Sequence, residues 1–444
     1  MTPPPDQEKI KKSLRVSLWD GVFACSMTGF TQEYLVPFIL LSGAASQHIG
    51  LLSCLPNLAG ALIQLKSPEL TEKFGSRKKI IVTFVFLQAL MFLPMFYVAL
   101  QGGTSPMLFI IFVTAVTGLG AVALPAWGSL MSDLVKENVR GTYFGWRSKI
   151  LGLTTVGMSF VAGNILHFTE GFNVYVGFAY LFFMAFIFRL MSCHFLTQMH
   201  EPPLVHKKEH AFTLGMFLRR VKESNFAKFV LFVASLNFCV NMASPFFAVF
   251  MLRDLHFNYF LFTSITITAP LTVYLLMSRW GRHADKVGNL KVLQLTAPIV
   301  SLLPVLWIIS QNPVYLFLTQ IIAGFAWAGF NLCASNFIFD AVTPEKRTRC
   351  IAYFNVFNGL ALCCGALLGG LIAEHLPPLL GHKLLTLFLI SSIGRLFIAV
   401  FIPRRLKEVR NVEHVKSNRL FFSMVGVKPL LGIERRIVRI DQVE

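Results

Sequence analysis

Twelve apolar stretches, each long enough to cross a bilayer, constrain this chain more than any other feature. In the first half they run roughly over 16–41, 46–65, 80–100, 107–132, 143–168 and 173–198. In the second half they run over 226–251, 259–280, 290–310, 313–339, 350–373 and 384–403. A tilted helix needs about twenty apolar residues to cross ~30 Å of hydrocarbon. The expectation is an all-α polytopic membrane protein with twelve transmembrane helices.

Charge gives the chain a direction. The leading tail, every second gap and the trailing tail hold 36 of the 40 Lys and Arg residues; Arg253 and Lys383 lie in the alternate gaps, and Arg189 and Arg395 within late helices. Lys and Arg are retained on the cytoplasmic side during insertion. The pattern predicts an even number of spans with both termini cytoplasmic, in the cell (inner or plasma) membrane. It also accounts for the formal net charge of +18 without a nucleic-acid partner. Snorkelling toward the nearby interface is the economical reading of Arg189 and Arg395, and it makes multiply charged anions poor cargo.

With 55% apolar residues, 14% charged residues and 44 Phe, a soluble globule would lack the polar side chains to cover itself. Lipid accepts that surface. Stretch 1 is too long for the apolar core of a signal peptide and no small-residue cleavage pattern ends it, so it reads as the first span. The eight cysteines all fall in predicted helices and read as small packing residues. No CxxC, HExxH, GxSxG or GxxxxGK[ST] pattern occurs. An enzyme, a metal site and a cofactor are not expected, and energy for any transport must come from an ion or solute gradient.

Landmarks recur at a nearly constant offset, the mark of an internal duplication. Pro37-Phe38 returns as Pro245-Phe246, 208 residues on; Asp133 and Arg140 return as Asp340 and Arg347, 207 on; Arg189-Leu190 returns as Arg395-Leu396, 206 on. The predicted organisation is a tail over 1–15, a six-helix half over 16–199, a central loop over 200–225, a second, pseudo-symmetric half over 226–403 and a basic tail over 404–444. For that last tail two readings stand, contact with anionic lipid headgroups and simple solvation.

The sharpest repeat joins stretches 2 to 3 and 8 to 9. The second copy contains Gly281, Asp285, Lys286, Gly288 and Lys291; the first contains Pro68, Glu72, Lys73, Gly75 and Arg77. This resembles the loop signature G-x-x-x-D-R/K-x-G of the major facilitator superfamily, with Pro68 and Glu72 as departures in the first copy. Helix count, duplication and signature together extend the resemblance over residues 13 to 405. A small residue at Gly75 or Gly288 lets two helices approach, and the acids Glu72 and Asp285 can meet a helix N-terminus or a basic group. These loops read either as latches that form and break with the cavity, or as topology signals alone.

The resemblance implies a central cavity bounded by spans 1, 4, 7 and 10, with cargo bound near the midplane. Asp20, about one turn inside the first span, sits at the depth of Arg147 and Lys149, and an inner-face ion pair is its expected role. Asp133, Arg140, Asp340 and Arg347 are further inner-face charges. Glu33, flanked by Gln32 and Tyr34, lies in the outer half of the span before Pro37; it is the candidate for carrying a proton, against the alternative of an acid held in permanent hydrogen bonds. Ionisable groups inside a membrane are costly and mark function by default. Asn237 and Asn241, Asn331 and Ser335 with Asn336, and Asn355 and Asn358 offer polar faces that bind cargo or join helices. Trp127 and Trp327 stack on cargo or fill space. The expected activity is secondary active transport of a small organic solute by alternating access, with protons as one candidate coupling partner, by a monomer embedded in the lipid bilayer. The alternative is a membrane-embedded sensor or interaction protein with a carrier fold and no net transport.

Overall fold

The computed structural model describes residues 5–135, 139–202, 224–342, 344–410, 412, 420–421 and 423–424; within its helices a few side chains, those of Glu72 and Arg347 among them, lie outside the description. Fourteen α-helices account for most of these residues. In the first half they are α1 (Pro5–Thr31), α2 (Leu35–Leu41), α3 (Ser46–Phe74), α4 (Arg77–Leu90), α5 (Phe92–Leu100), α6 (Pro106–Leu134), α7 (Arg140–Glu170) and α8 (Val174–Thr197). In the second they are α9 (Asn225–Val249), α10 (Tyr259–Val287), α11 (Asn289–Ile309), α12 (Pro313–Ala341), α13 (Pro344–Ile372) and α14 (Lys383–Phe401).

Two breaks inside predicted spans have one cause. A proline lacks the N–H that would bond the carbonyl four residues back, and its ring crowds that carbonyl. Pro37 so acts on Glu33, and a 3-10 turn over Gln32–Tyr34 separates α1 from α2. Pro94 acts on Leu90, where α4 gives way to α5. Ten segments among the described residues are long and apolar enough to cross a membrane. The first two predicted spans are not in that set: α1 carries Asp20 and ends at the 3-10 turn, and α3 includes side chains outside the description.

The chain forms two compact units, residues 1–207 with 247–267, and residues 208–246 with 268–444. In the first, α1 packs on α7 and α8, α3 on α6, and α4 on α6 and α8. Phe38, Phe109, Phe178 and Phe182 form an aromatic knot, with Phe38 4.6 Å from Phe109 and 5.2 Å from Phe178 between ring centroids. Tyr34 is fully buried; its hydroxyl donates to the Ser159 carbonyl and lies 3.1 Å from Thr263 Oγ1.

In the second unit α11 packs on α12 and α14. Arg395 is buried within it, donating to Ser391 Oγ at 3.0 Å and to the Val240 carbonyl at 3.1 Å. The snorkelling expectation fails for this residue, because nearby hydroxyl and carbonyl oxygens satisfy the guanidinium inside the protein. The trailing tail is docked where it is described. Asn225 Nδ2 donates to the Lys407 carbonyl at 2.8 Å, and Asn225 Oδ1 accepts from the Lys407 N–H at 3.0 Å. Leu420 and Met424 are buried in the same apolar cluster as Trp280 and Leu406, and Ser423 Oγ lies 2.9 Å from His283 Nε2. Neither lipid contact nor free solvation describes these residues. Among the described residues six cysteines are free thiols, and four of them, Cys193, Cys239, Cys333 and Cys350, are buried in the helix packing.

Candidate functional site

The first unit places a charged cluster beside a cavity of about 220 Å³, lined by residues of α1, α4, α6, α7 and α8. Asp20 of α1 is 5% exposed. It accepts a hydrogen bond from Ser192 Oγ at 2.7 Å, and its other oxygen lies 4.0 Å from Arg147 Nη2. The expected pairing of Asp20 with Arg147 is present; Lys149 is exposed. Arg147 reaches this position because α1 carries Gly21 there, where a Cβ would lie 2.5 Å from Arg147 Nη2.

Arg147 also donates to the Ser17 carbonyl at 2.9 Å, and its guanidinium carbon stands 4.6 Å from the centre of the Trp127 ring. That distance is a cation–π contact. The Trp127 indole N–H faces Asp20 without meeting hydrogen-bond geometry, and Arg147 Nε has no acceptor among the described residues.

Arg189 of α8 is turned into the bundle, a second correction to the snorkelling reading. Its Nε donates to Gln88 Oε1 at 2.7 Å and its Nη1 to Ser192 Oγ at 3.2 Å. Gln88 is oriented by its own bond to the Val116 carbonyl at 3.0 Å. Gln88 and Ser192 escaped the sequence reading, although Gln88 is the one amide in its predicted span. With two guanidinium groups on the cavity wall, the argument against anionic cargo loses its premise.

Among the other candidates, Glu33 sits half-buried in the 3-10 turn. Tyr34 is part of the helix packing described above. Asn237 Nδ2 donates to Asn358 Oδ1 at 2.6 Å and Asn241 Nδ2 to the Leu362 carbonyl at 2.7 Å, so these three residues tie α9 to α13. Asn331 and Ser335 of α12 and Asn355 of α13 are exposed, and Asn336 is half-buried. Trp327 lies edge-on to Phe330 at 5.6 Å.

The two signature loops are braced in parallel ways. Gly75 and Gly288 both take positive φ, +63° and +88°, the left-handed backbone that favours glycine. In the first copy Glu201 accepts from Ser76 Oγ and from the backbone N–H of Arg77, both at 2.6 Å, and Arg77 Nη1 binds Asp133 at 2.6 Å. In the second, Glu408 accepts from the backbone N–H of Leu290 at 2.7 Å. Arg410 there binds Asp340 through Nε at 2.7 Å and Nη2 at 3.1 Å, and Asp285 through Nη1 at 3.2 Å. Its hydrogen bond to Asp340 raises the affinity of the Arg410 guanidinium for its proton above the ordinary value. Asn289 Nδ2 also donates to Asp340, at 2.7 Å. Acids thus sit at the N-termini of α4 and α11, where the helix dipole favours negative charge. The sequence reading had Glu72 and Asp285 meet a helix N-terminus or a basic group; Glu201 and Glu408 are the acids at the N-termini, Asp285 meets the basic group of Arg410, and the Glu72 side chain lies outside the description. Lys73 is exposed, while Lys286 and Lys291 are half-buried. A Cβ at Gly281 would meet Leu332 at 3.6 Å, an ordinary contact. Arg140 Nη2 donates to the Ser132 carbonyl at 2.7 Å near the end of α6, and the side chain of Arg347 lies outside the description.

A duplicated bundle of apolar helices, with charged clusters buried among them, defines an integral membrane protein of many spans. The chain belongs to the major facilitator superfamily, whose model matches residues 21–267 and 229–438; it is a membrane transporter rather than an enzyme. A mutant of the nucleoside transporter NupG has a similar structure, with a TM-score of 0.71 at 16% identity over 89% of this chain and 100% of that one. The D-xylose-proton symporter matches with a TM-score of 0.69 at 12% identity, over 92% and 99% of the two chains. A bacterial homolog of the human lysosomal transporter Spinster, inward-facing and occupied, gives 0.61 at 14% identity, over 92% and 98%. At these identities the likeness is one of fold. No curated protein matches the chain.

Proposed function

We propose that this transporter is a secondary carrier that moves a small organic solute by alternating access, drawing on a proton gradient, in the cell membrane with both termini cytoplasmic. The observation that carries the proposal is the Asp20–Arg147–Arg189 cluster beside a cavity. Charges held among apolar spans are expensive, and a cavity next to them gives the expense a use. In this reading the cluster recognises cargo, and Glu33 couples transport to protons. Glu33 suits that task because no ion pair or hydrogen bond to a described residue fixes its carboxylate. Asp20, by contrast, is held by Ser192 and Arg147.

The test is Glu33→Gln in proteoliposomes. Gln keeps shape and hydrogen bonding but cannot release a proton. Uphill accumulation driven by a pH gradient is expected to vanish while solute exchange at equal concentrations persists. Undiminished accumulation in the variant removes Glu33 from the coupling step.

A further inference from the structure

The cavity beside Asp20 presents more cationic donors than the protein itself uses. Arg147 and Arg189 bring two positive charges to its wall and Asp20 one negative charge, a formal excess of one. Arg147 is 9% exposed, and both its Nε and the Trp127 Nε1 are buried without an acceptor among the described residues. Arg189 commits Nε to Gln88 and Nη1 to Ser192, which leaves Nη2 without a hydrogen bond to the described residues. The donors are held in place before any ligand arrives, since Gln88, Ser192, Ser17 and the Trp127 ring orient the two guanidinium groups.

Buried donors left unpaired cost free energy, and so does a buried charge without its counterpart. A ligand that supplies one negative charge and several acceptor lone pairs relieves both costs. We infer that this cavity binds a small monocarboxylate with an apolar body. A neutral solute leaves the excess positive charge in place, and a dianion replaces it with an excess negative one. The carboxylate matches the planar fork of a guanidinium, while Val85, Ala123, Leu124 and Leu151 offer apolar wall to the rest. At about 220 Å³ the space falls below the ~300–1,000 Å³ of drug-sized sites, which keeps the ligand small. The inference rests on the carrier reading only in treating that ligand as cargo.

The test is thermal unfolding of the purified protein with butyrate, benzoate and 3-phenylpropionate, each against its own uncharged amide. A ligand of the folded state raises apparent stability by mass action. At least one acid is expected to raise the melting temperature with concentration, and its amide to leave it unchanged. Arg189→Gln is expected to weaken binding of that acid at least tenfold. Trp127→Phe, which keeps the ring under Arg147 and deletes only the N–H, is expected to weaken it about tenfold and keeps the test open if the first variant does not fold. The assignment is overturned if no acid binds, if acid and amide bind alike, or if both variants bind as tightly as the parent. Flux of a neutral solute without acid binding overturns this site and leaves the carrier; acid binding without flux of any solute leaves this site and overturns the carrier.

Discussion

Asp20 is the residue on which the buried cluster balances. Asp20→Asn retains an acceptor for Ser192 but leaves Arg147 and Arg189 on the same cavity wall with no counter-charge from Asp20. Breaking a buried pair from one side costs about 3–5 kcal/mol, so the variant should unfold at clearly lower temperature or denaturant in detergent. Adding Arg147→Gln should return part of the loss, since removing both partners brings the cluster back to the parent's formal excess of one positive charge; a double variant no more stable than Asp20→Asn alone would show the two are not coupled. The pairing of Asp20 with Arg147 was legible in the sequence because both sit at similar depth. The direction of Arg189 was not. Sequence position gives depth along a helix, whereas the acceptors that turn Arg189 inward, Gln88 and Ser192, lie on α4 and on the next turn of α8.

At the scale of elements, the duplication extends to residues that no loop motif marks. Glu201 and Glu408, 207 positions apart, cap the helices that follow the two signature loops. The basic partner has moved between copies: Arg77 within the loop itself binds Asp133, whereas Arg410 of the trailing tail binds Asp340. The glycines of these loops were readable from spacing, but the acids that brace them were not, because each lies more than a hundred residues away along the chain. Glu201→Gln and Glu408→Gln should each cost about 0.3–1 kcal/mol, the worth of a charge at a helix end. Gly288→Val should cost more, since φ there is +88° and a Cβ would lie 2.4 Å from Glu408 Oε2; equal melting temperatures for these variants would contradict the clamp. Arg410→Gln should loosen the tail, seen as faster hydrogen exchange around Leu420 to Met424. The raised proton affinity of Arg410 favours the fold at every pH below the range where a free guanidinium titrates and is lost only above it, so this clamp should hold unchanged across physiological pH.

For the molecule as a whole, the helix count, the duplication and the family were legible because lipid imposes length and apolarity on every span. The docked tail and the buried arginines were not, since they depend on which neighbour each helix meets. The charge asymmetry makes its own prediction: a cysteine placed near Gly103 or Pro378 should react with a membrane-impermeant reagent from outside intact cells, and one near Glu209 should not. Labelling at the Glu209 site would invert the proposed topology. The central claim is transport, and uptake into proteoliposomes tests it most directly. Labelled monocarboxylates, nucleosides and pentoses are offered under an imposed pH gradient, with and without a protonophore. The account predicts that at least one solute accumulates above its external concentration and that the protonophore abolishes the accumulation. Uptake of every solute at the rate of protein-free liposomes would contradict it.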